Sequence, residues 1–235
     1  MKIALIGYGV MGKIIRTLAE EKGHTIAVVI DDADAGLSAA ELSQKLIGCD
    51  AAIDFTTAEA VRRSVEACVL AGVPLVEGTT GWNDQRSEIE RHVSEGLGAM
   101  VFGANFSIGV NLFYSIADFA SKLFAKFPEY EAFIEEQHHS RKKDSPSGTA
   151  LKLKDIVAMH VDTDVSVSAT RAGNIPGTHR VGFDGPSDQI LLEHMARSRE
   201  GFAAGAILAA EWIVGKKGFY EFTDVMDEIC QNRPR

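Results

Sequence analysis

The sequence predicts an α/β chain: an N-terminal dinucleotide-binding domain on a parallel sheet, then a second α+β domain with a mixed, largely antiparallel sheet. Three observations carry this reading. Through the first hundred residues short apolar runs alternate with longer segments of helical periodicity, the order that gives parallel strands joined by right-handed crossovers. A G-x-G-x-x-G stretch stands at the first strand-to-helix junction. After residue 105 the pattern changes to one long helix and then to runs approaching period two, as antiparallel strands with one solvated face require.

The runs at 3–6, 26–30, 51–55, 73–76 and 99–102 each have the length of a strand buried on both faces. Between them 13–22, 58–71 and 83–95 have helical character, the second with apolar Val61, Val65, Cys68 and Val69. Then comes a long apolar helix at 109–127, with Leu112, Ile116, Phe119, Ala120 and Leu123 on one stripe, followed by a strand at 130–135. A polar, basic loop leads to a helix near 149–160 and to strands at 165–170, 180–184 and 190–196. The last helix, 202–214, and the acidic tail can pack on either unit. There is no internal repeat and no low-complexity tract.

A length of 235 residues allows one large domain or two small ones. With 24 Lys+Arg against 33 Asp+Glu the formal charge is −9, which argues against broad binding to nucleic acid or anionic membrane. No apolar run approaches the ~20 residues of a membrane span. Met1-Lys2 leads directly into a short apolar run without a signal-peptide pattern, so the expected location is cytoplasmic. Cys49, Cys68 and Cys230 lie far apart with no C-x-x-C pair, so neither a disulfide framework nor a cysteine zinc site is expected.

In Gly7-Tyr8-Gly9-Val10-Met11-Gly12 the spacing has a mechanical reason. Gly7 permits the tight turn, Gly9 lets a pyrophosphate approach the backbone, and Gly12 lets the helix pack closely, the fingerprint of a Rossmann site. The helix N-terminus adds unpaired N–H groups and partial positive charge. Asp31, 19 residues after Gly12 at the end of the second strand, is placed to accept hydrogen bonds from the adenosine ribose. Its neighbour Asp32 adds a second carboxylate where a 2′-phosphate would stand. The expected cofactor is therefore NADH in preference to NADPH, with Lys13 or Arg16 as the cations able to soften the repulsion. A solvated strand-end carboxylate is the plainer reading of Asp31.

The densest stretch chemically is Glu136-Gln137-His138-His139-Ser140-Arg141-Lys142-Lys143-Asp144-Ser145-Pro146-Ser147-Gly148-Thr149. Ser147, Gly148 and Thr149 fall where the first N–H groups of a helix point outward and can hold an anion. A histidine beside lysines is suited to proton transfer near neutrality. A solvated basic face is the competing reading. Adjacent histidines on an extended segment face opposite ways, so no metal site is expected.

Together with Gly7 to Gly12, Gly78-Thr79-Thr80-Gly81 and Ala104-Asn105-Phe106-Ser107, this stretch resembles the dihydrodipicolinate reductase family, also called 4-hydroxy-tetrahydrodipicolinate reductase. Arg171-Ala172-Gly173 and Phe202-Ala203-x-Gly205-Ala206 extend the likeness over nearly the whole chain. The chain is short for that family. Its glycine loop is one residue tighter than the common glycine-arginine version, and Asp32 stands where the family often has Arg.

The resemblance implies reduction of a cyclic dicarboxylate imine by NAD(P)H with loss of water, in the diaminopimelate route to lysine. It implies His138 as proton donor and acceptor, Lys142 as proton donor, and His139, Gly148 and Thr149 as substrate contacts. Gly7, Tyr8, Gly9, Val10, Met11, Gly12, Asp31, Gly78, Thr79, Thr80, Gly103, Ala104, Asn105 and Phe106 are the implied cofactor contacts. It further implies a dinucleotide-binding domain from 1–106 and 200–235, a substrate-binding and tetramerisation domain from 107–199, a homotetramer, and hinges near 105–107 and 199–202. Two alternatives share only the N-terminal fingerprint: an aspartate or homoserine dehydrogenase, and a regulatory protein that binds NADH without turnover. The first gives no reason for the stretch from His138 to Thr149; the second calls for an appended effector or nucleic-acid module, and no basic helix of that kind appears in the sequence.

Overall fold

A computed structural model describes residues 1–232. In chain order the first elements are β1 (Lys2–Ile6), α1 (Val10–Glu21), β2 (Thr25–Ile30), α2 (Ala39–Leu46), β3 (Ala51–Asp54), α3 (Ala58–Ala71), β4 (Leu75–Glu77), α4 (Arg86–Glu95) and β5 (Ala99–Phe102). There follow α5 (Ile108–Phe124), β6 (Glu131–His138), α6 (Gly148–Ala158), β7 (Ser166–Arg171), β8 (Thr178–Asp184) and β9 (Gln189–Met195). The chain ends with α7 (Glu200–Ile213), β10 (Gly218–Glu221) and α8 (Phe222–Asn232). These elements form two compact units, one of residues 1–108 with the chain from 199 onward, the other of 109–198.

The first unit is a six-stranded parallel sheet in the order β10-β5-β4-β3-β1-β2. Its strands are buried on both faces because their residues are apolar without alternation: Ile3 and Leu5 enter one core with α1 and α7, Ala4 and Ile6 the other with α2, α3 and α4. The tail helix belongs to this unit. Ala203, Ala206, Ile207, Ala210 and Ile213 of α7 are fully buried, and Gly205 lies so close to the Phe106 carbonyl that a Cβ there would stand 1.7 Å from its oxygen.

Three elements of this unit escape the periodicity reading. Helix α2 is only eight residues, although Ser38 and Glu41 close a capping box at its start. Strand β10 has four half-buried residues at the sheet edge, and α8 follows it directly.

The second unit is a four-stranded sheet in the order β7-β6-β8-β9, parallel between β6 and β7 and antiparallel elsewhere. Helices α5 and α6 supply Val110, Phe113, Ala117, Leu153 and Val157 to its core, with Ile134, Val181 and Phe183 from the strands. The expected stripe on α5 is not the face that meets the sheet: Leu112, Ile116, Phe119 and Leu123 are exposed, and Ala120 packs only at the core's margin. A helix apolar all round offers no unique stripe. The small residues Ala117 and Ser121 lie on the buried face, where they permit close approach. Strand β6 continues three residues past the expected end at 135, because Glu136 and His138 are polar side chains on its buried face. Among the described residues no helix is long and apolar enough to cross a membrane.

Candidate active site

The glycine loop has the form its spacing requires. Gly7 has φ +88°, and a Cβ there would meet the Phe55 carbonyl oxygen at 2.5 Å; one at Gly12 would meet the Gly7 carbonyl oxygen at 2.3 Å. Gly9, by contrast, faces open space and caps α1 without a side-chain acceptor. The N–H groups of the first turn, at Val10, Met11 and Gly12, are therefore left for an anion, and the residues present fit a dinucleotide pyrophosphate. Tyr8 is half-buried, its hydroxyl accepting from Arg16 Nη1 at 3.2 Å.

Asp31 stands exposed immediately after β2, and its Oδ1 accepts the Ala33 N–H at 3.0 Å while Asp34 Oδ2 accepts the Asp31 N–H at 3.4 Å. The carboxylate thus caps a short 3-10 turn that includes Asp32. Lys45 pairs with Asp34 in this loop, and Arg63 donates to the carbonyls of Ala35 and Leu37.

After β4, Thr79 is fixed three times: its N–H donates to Glu77 Oε1 at 2.7 Å, its hydroxyl oxygen accepts the Thr56 N–H at 3.0 Å, and its carbonyl accepts Trp82 Nε1 at 2.8 Å. Gly78 lies on the Phe55 ring, where a Cβ would stand 2.2 Å from Cζ, and Thr80 is exposed. After β5, Gly103 is buried, Ala104 exposed, and Asn105 Oδ1 accepts the Ser107 N–H at 2.8 Å. The Phe106 ring is in the core, 4.7 Å from that of Phe222, so this residue offers a cofactor its backbone and not its ring.

In the second unit the strand register assembles a cluster. Glu136 and His138 lie two apart on the buried face of β6; β8 sets His179 opposite Glu136, and β7 sets Arg171 opposite His138. Glu136 Oε1 accepts from Arg171 Nη2 at 2.6 Å and from the Ser147 N–H at 2.9 Å. Its Oε2 is 3.2 Å from His138 Nδ1 and 3.6 Å from His179 Nε2. Ser147 caps α6 through Oγ, which accepts the Ala150 N–H and lies 3.3 Å from His179 Nε2. Gly148 and Thr149 open that helix, and Arg171 also donates to the Asp144 carbonyl, fixing the loop between. Lys142 Nζ is 2.8 Å from Asp144 Oδ1, and His139 is half-buried with no partner for Nδ1.

The electrostatics follow from this packing. Burial raises the Glu136 pKa, but the Ser147 and Arg171 hydrogen bonds outweigh it, so the carboxylate stays below its usual range and ionised. Burial lowers His138; Glu136 opposes this and Lys142 adds to it, leaving the ring neutral at rest. Burial and the neighbouring His138 push His179 down to about 4. Glu136, His138 and His179 bring three donor atoms within 4.8 Å of one another, the one such trio among the described residues. Since Arg171 already supplies the positive charge at Glu136, the trio is suited to holding and moving a proton.

The sequence points to His138, Lys142, Ser147, Gly148 and Thr149 and assigns no role to Glu136 or His179. The signal for Glu136 was period two: Ala132, Ile134, Glu136 and His138 share one face once β6 is extended. His179 carried no local signal, because only strand pairing brings it to Glu136.

Two family models match, described as the N-terminus and the C-terminus of dihydrodipicolinate reductase, over residues 1–106 and 109–226. A 4-hydroxy-tetrahydrodipicolinate reductase of Christiangramia forsetii is 35% identical over 99% of this chain and 100% of its own. One of Archaeoglobus fulgidus is 35% identical over 97% of this chain and 100% of its own. Among solved structures, a dipicolinate-bound dihydrodipicolinate reductase from Paenisporosarcina sp. TG-14 has the same fold, with a TM-score of 0.81 at 22% identity over 96% of this chain and 99% of the other.

Proposed function

Because the chain belongs to the dihydrodipicolinate reductase family, we propose that His138, Lys142 and the start of α6 carry out its reaction. That reaction is the NAD(P)H-dependent reduction of 4-hydroxy-tetrahydrodipicolinate to tetrahydrodipicolinate with loss of water, in lysine biosynthesis by the diaminopimelate route.

The observation that carries the assignment is the Glu136-His138-His179 cluster, with Arg171 on it and Lys142 and the α6 N-terminus beside it. A substrate carboxylate docks on the N–H groups of Gly148 and Thr149, with His139 as a further contact. NAD(P)H, when bound, supplies the hydride. Departure of the hydroxyl as water takes up one proton and releases one from the neighbouring carbon, and electrons pushed toward the imine nitrogen by the hydride leave an enamine carbon that takes one more, so the net demand is one proton per hydride. Glu136 Oε2 lies 3.2 Å from His138 Nδ1 without closing a hydrogen bond to the neutral ring; its charge, with that of a bound dicarboxylate, raises the affinity of the imidazole for a proton, so that the ring can accept one and return it. Lys142 is the second acid.

In the first unit the turn at Gly7 to Gly12 holds the pyrophosphate, Asp31 the adenosine ribose, and the turns at 78–80 and 103–106 the nicotinamide end. Asp31 and Asp32 disfavour a 2′-phosphate, and the engaged cations Lys45 and Arg63 do not offset them, so NADH is the preferred cofactor. Residues 107–199 form the substrate-binding and tetramerisation domain, with the dinucleotide-binding domain in 1–106 and 200–235. Exposed Ile190, Leu191 and Met195 on the edge strand β9, with the open face of α5, support a homotetramer. The cofactor, the small cyclic dicarboxylate and the three free thiols fit a cytoplasmic enzyme.

The test supplies pyruvate, aspartate semialdehyde and the preceding synthase, and follows NADH absorbance, with omission of the synthase as control. Synthase-dependent NADH oxidation is expected; its absence would overturn the reading.

A further inference from the structure

Asp54 ends β3 and Glu77 ends β4, and the two are partners in the parallel register, so their side chains leave the same face of the sheet. Both residues are completely buried. Adjacent carboxylates in a dry interior cannot both remain charged without a counterion. The cation that acts on Asp54 is Arg63 of α3, whose Nη1 is given to the carbonyls of Ala35 and Leu37 and whose buried Nε closes no hydrogen bond to either carboxylate. The remaining groups around the pair are the hydroxyls of Ser64, Thr56 and Thr79 and the Cys68 thiol. Glu77 Oε1 accepts the Thr79 N–H at 2.7 Å, whereas Glu77 Oε2 and both oxygens of Asp54 close no hydrogen bond of good geometry.

We propose that Asp54 and Glu77 share one proton at neutral pH, held between Glu77 Oε2 and the Asp54 carboxylate, and that this acid pair positions the cofactor turn at 78–80. A single proton satisfies the buried Glu77 Oε2 as donor and one Asp54 oxygen as acceptor, and it removes one of the two like charges. Burial pushes Asp54 up to about 6; burial, then the charge of Asp54, pushes Glu77 well above the ordinary glutamate range. The consequence reaches the cofactor through Thr79, which Glu77 holds by its N–H and which in turn holds Thr56 at the end of the neighbouring strand. The positioning half rests on the reading that the 78–80 turn contacts the dinucleotide.

A carboxyl whose pKa is raised on folding contributes stability that is present at low pH and is lost as pH rises through the folded value. Wild type is therefore expected to lose thermal stability as pH rises from the range of the unfolded carboxyls, about 4, through the folded values. Glu77→Gln replaces the shared proton by an amide donor and should flatten that loss. Infrared spectroscopy of the wild type at neutral pH should show the carbonyl band of a protonated carboxylic acid, shifted in D2O and gone in Glu77→Gln. Glu77→Ala should weaken NADH binding, read by fluorescence, roughly fivefold, while Glu77→Gln stays within about twofold of wild type.

Absence of the infrared band, or an unchanged slope of stability against pH in Glu77→Gln, overturns the proton pair, and both readouts stand even where Glu77→Ala does not fold. A band present with NADH binding unweakened in both Glu77→Ala and Thr79→Val overturns the positioning half and the cofactor-turn reading beneath it. None of these measurements uses the substrate, so they are independent of the roles given to His138 and Lys142.

Discussion

Glu136 Oε2 lies 3.2 Å from His138 Nδ1, two residues apart on the buried face of one strand. Because Arg171 and the Ser147 N–H hold the other carboxylate oxygen, Glu136 stays ionised and cannot turn away from the ring. The ionised carboxylate beside the ring stabilises the imidazolium once His138 takes a proton. Glu136→Gln keeps the shape and removes the charge. It is expected to lower kcat by roughly 10- to 100-fold and to move the acid limb of the kcat profile to lower pH, with NADH affinity unchanged. Steady-state kinetics across pH decide it; a profile like that of wild type would remove Glu136 from this role.

The two assigned acids make a matched pair of expectations. His138→Gln and Lys142→Ala should each depress kcat by about 10²-fold or more while leaving the dissociation constant for NADH near that of wild type. Lys142 is held by Asp144 at 2.8 Å, so Asp144→Asn should give a smaller loss than Lys142→Ala. Near-normal turnover in both His138→Gln and Lys142→Ala would end the assignment.

The sheet of the first unit was legible because its strands are apolar without alternation, and the glycine loop because close backbone approaches at Gly7 and Gly12 forbid any other residue. The second unit was less legible where polar side chains are buried. Glu136 and His138 made the last three residues of β6 read as a loop, and the many apolar residues of α5 pointed to a stripe that is in fact exposed. His179 was invisible because its partner Glu136 is 43 positions away and is reached only through the β6 and β8 register. Phe106 belongs to a motif and also to the core, and only coordinates separate its backbone from its ring.

Gly177 gives His138 its room. A Cβ at this glycine would lie 3.1 Å from His138 Nε2, and its φ of +149° is one that side chains resist. Gly177→Ala should therefore cost on the order of 1 kcal/mol of stability and lower kcat by turning the ring, with NADH binding intact. Thermal melts and kinetics measured together test this, and an unchanged kcat would show that Nε2 is not the working nitrogen.

His179, lowered to about 4 by burial and then by His138, predicts a slope on the acid side of stability. The folded state keeps this ring neutral while the unfolded chain protonates it near ~6.5. The unfolded state therefore binds more protons between those values, and stability falls as pH drops from about 6.5 toward 4. The full effect is of the order of 3 kcal/mol. His179→Asn should lower stability at neutral pH and flatten this slope in denaturant titrations at successive pH values. An acid slope as steep as in wild type would place its origin elsewhere.

Cofactor choice is the most local of these properties. Asp31 and Asp32 stand exposed at the end of β2, and Lys45 and Arg63 are held by Asp34 and by backbone carbonyls. A 2′-phosphate there meets like charge, so wild type should show a higher kcat/KM with NADH than with NADPH. Asp31→Ser combined with Asp32→Arg removes one carboxylate and replaces the other by a phosphate-binding fork. The ratio of kcat/KM values should then move toward NADPH by roughly 10- to 100-fold. Since Asp31 also caps the 3-10 turn through the Ala33 N–H, serine is the chosen replacement because its hydroxyl can keep that cap. A ratio that does not move would mean that the adenosine end is read by other residues.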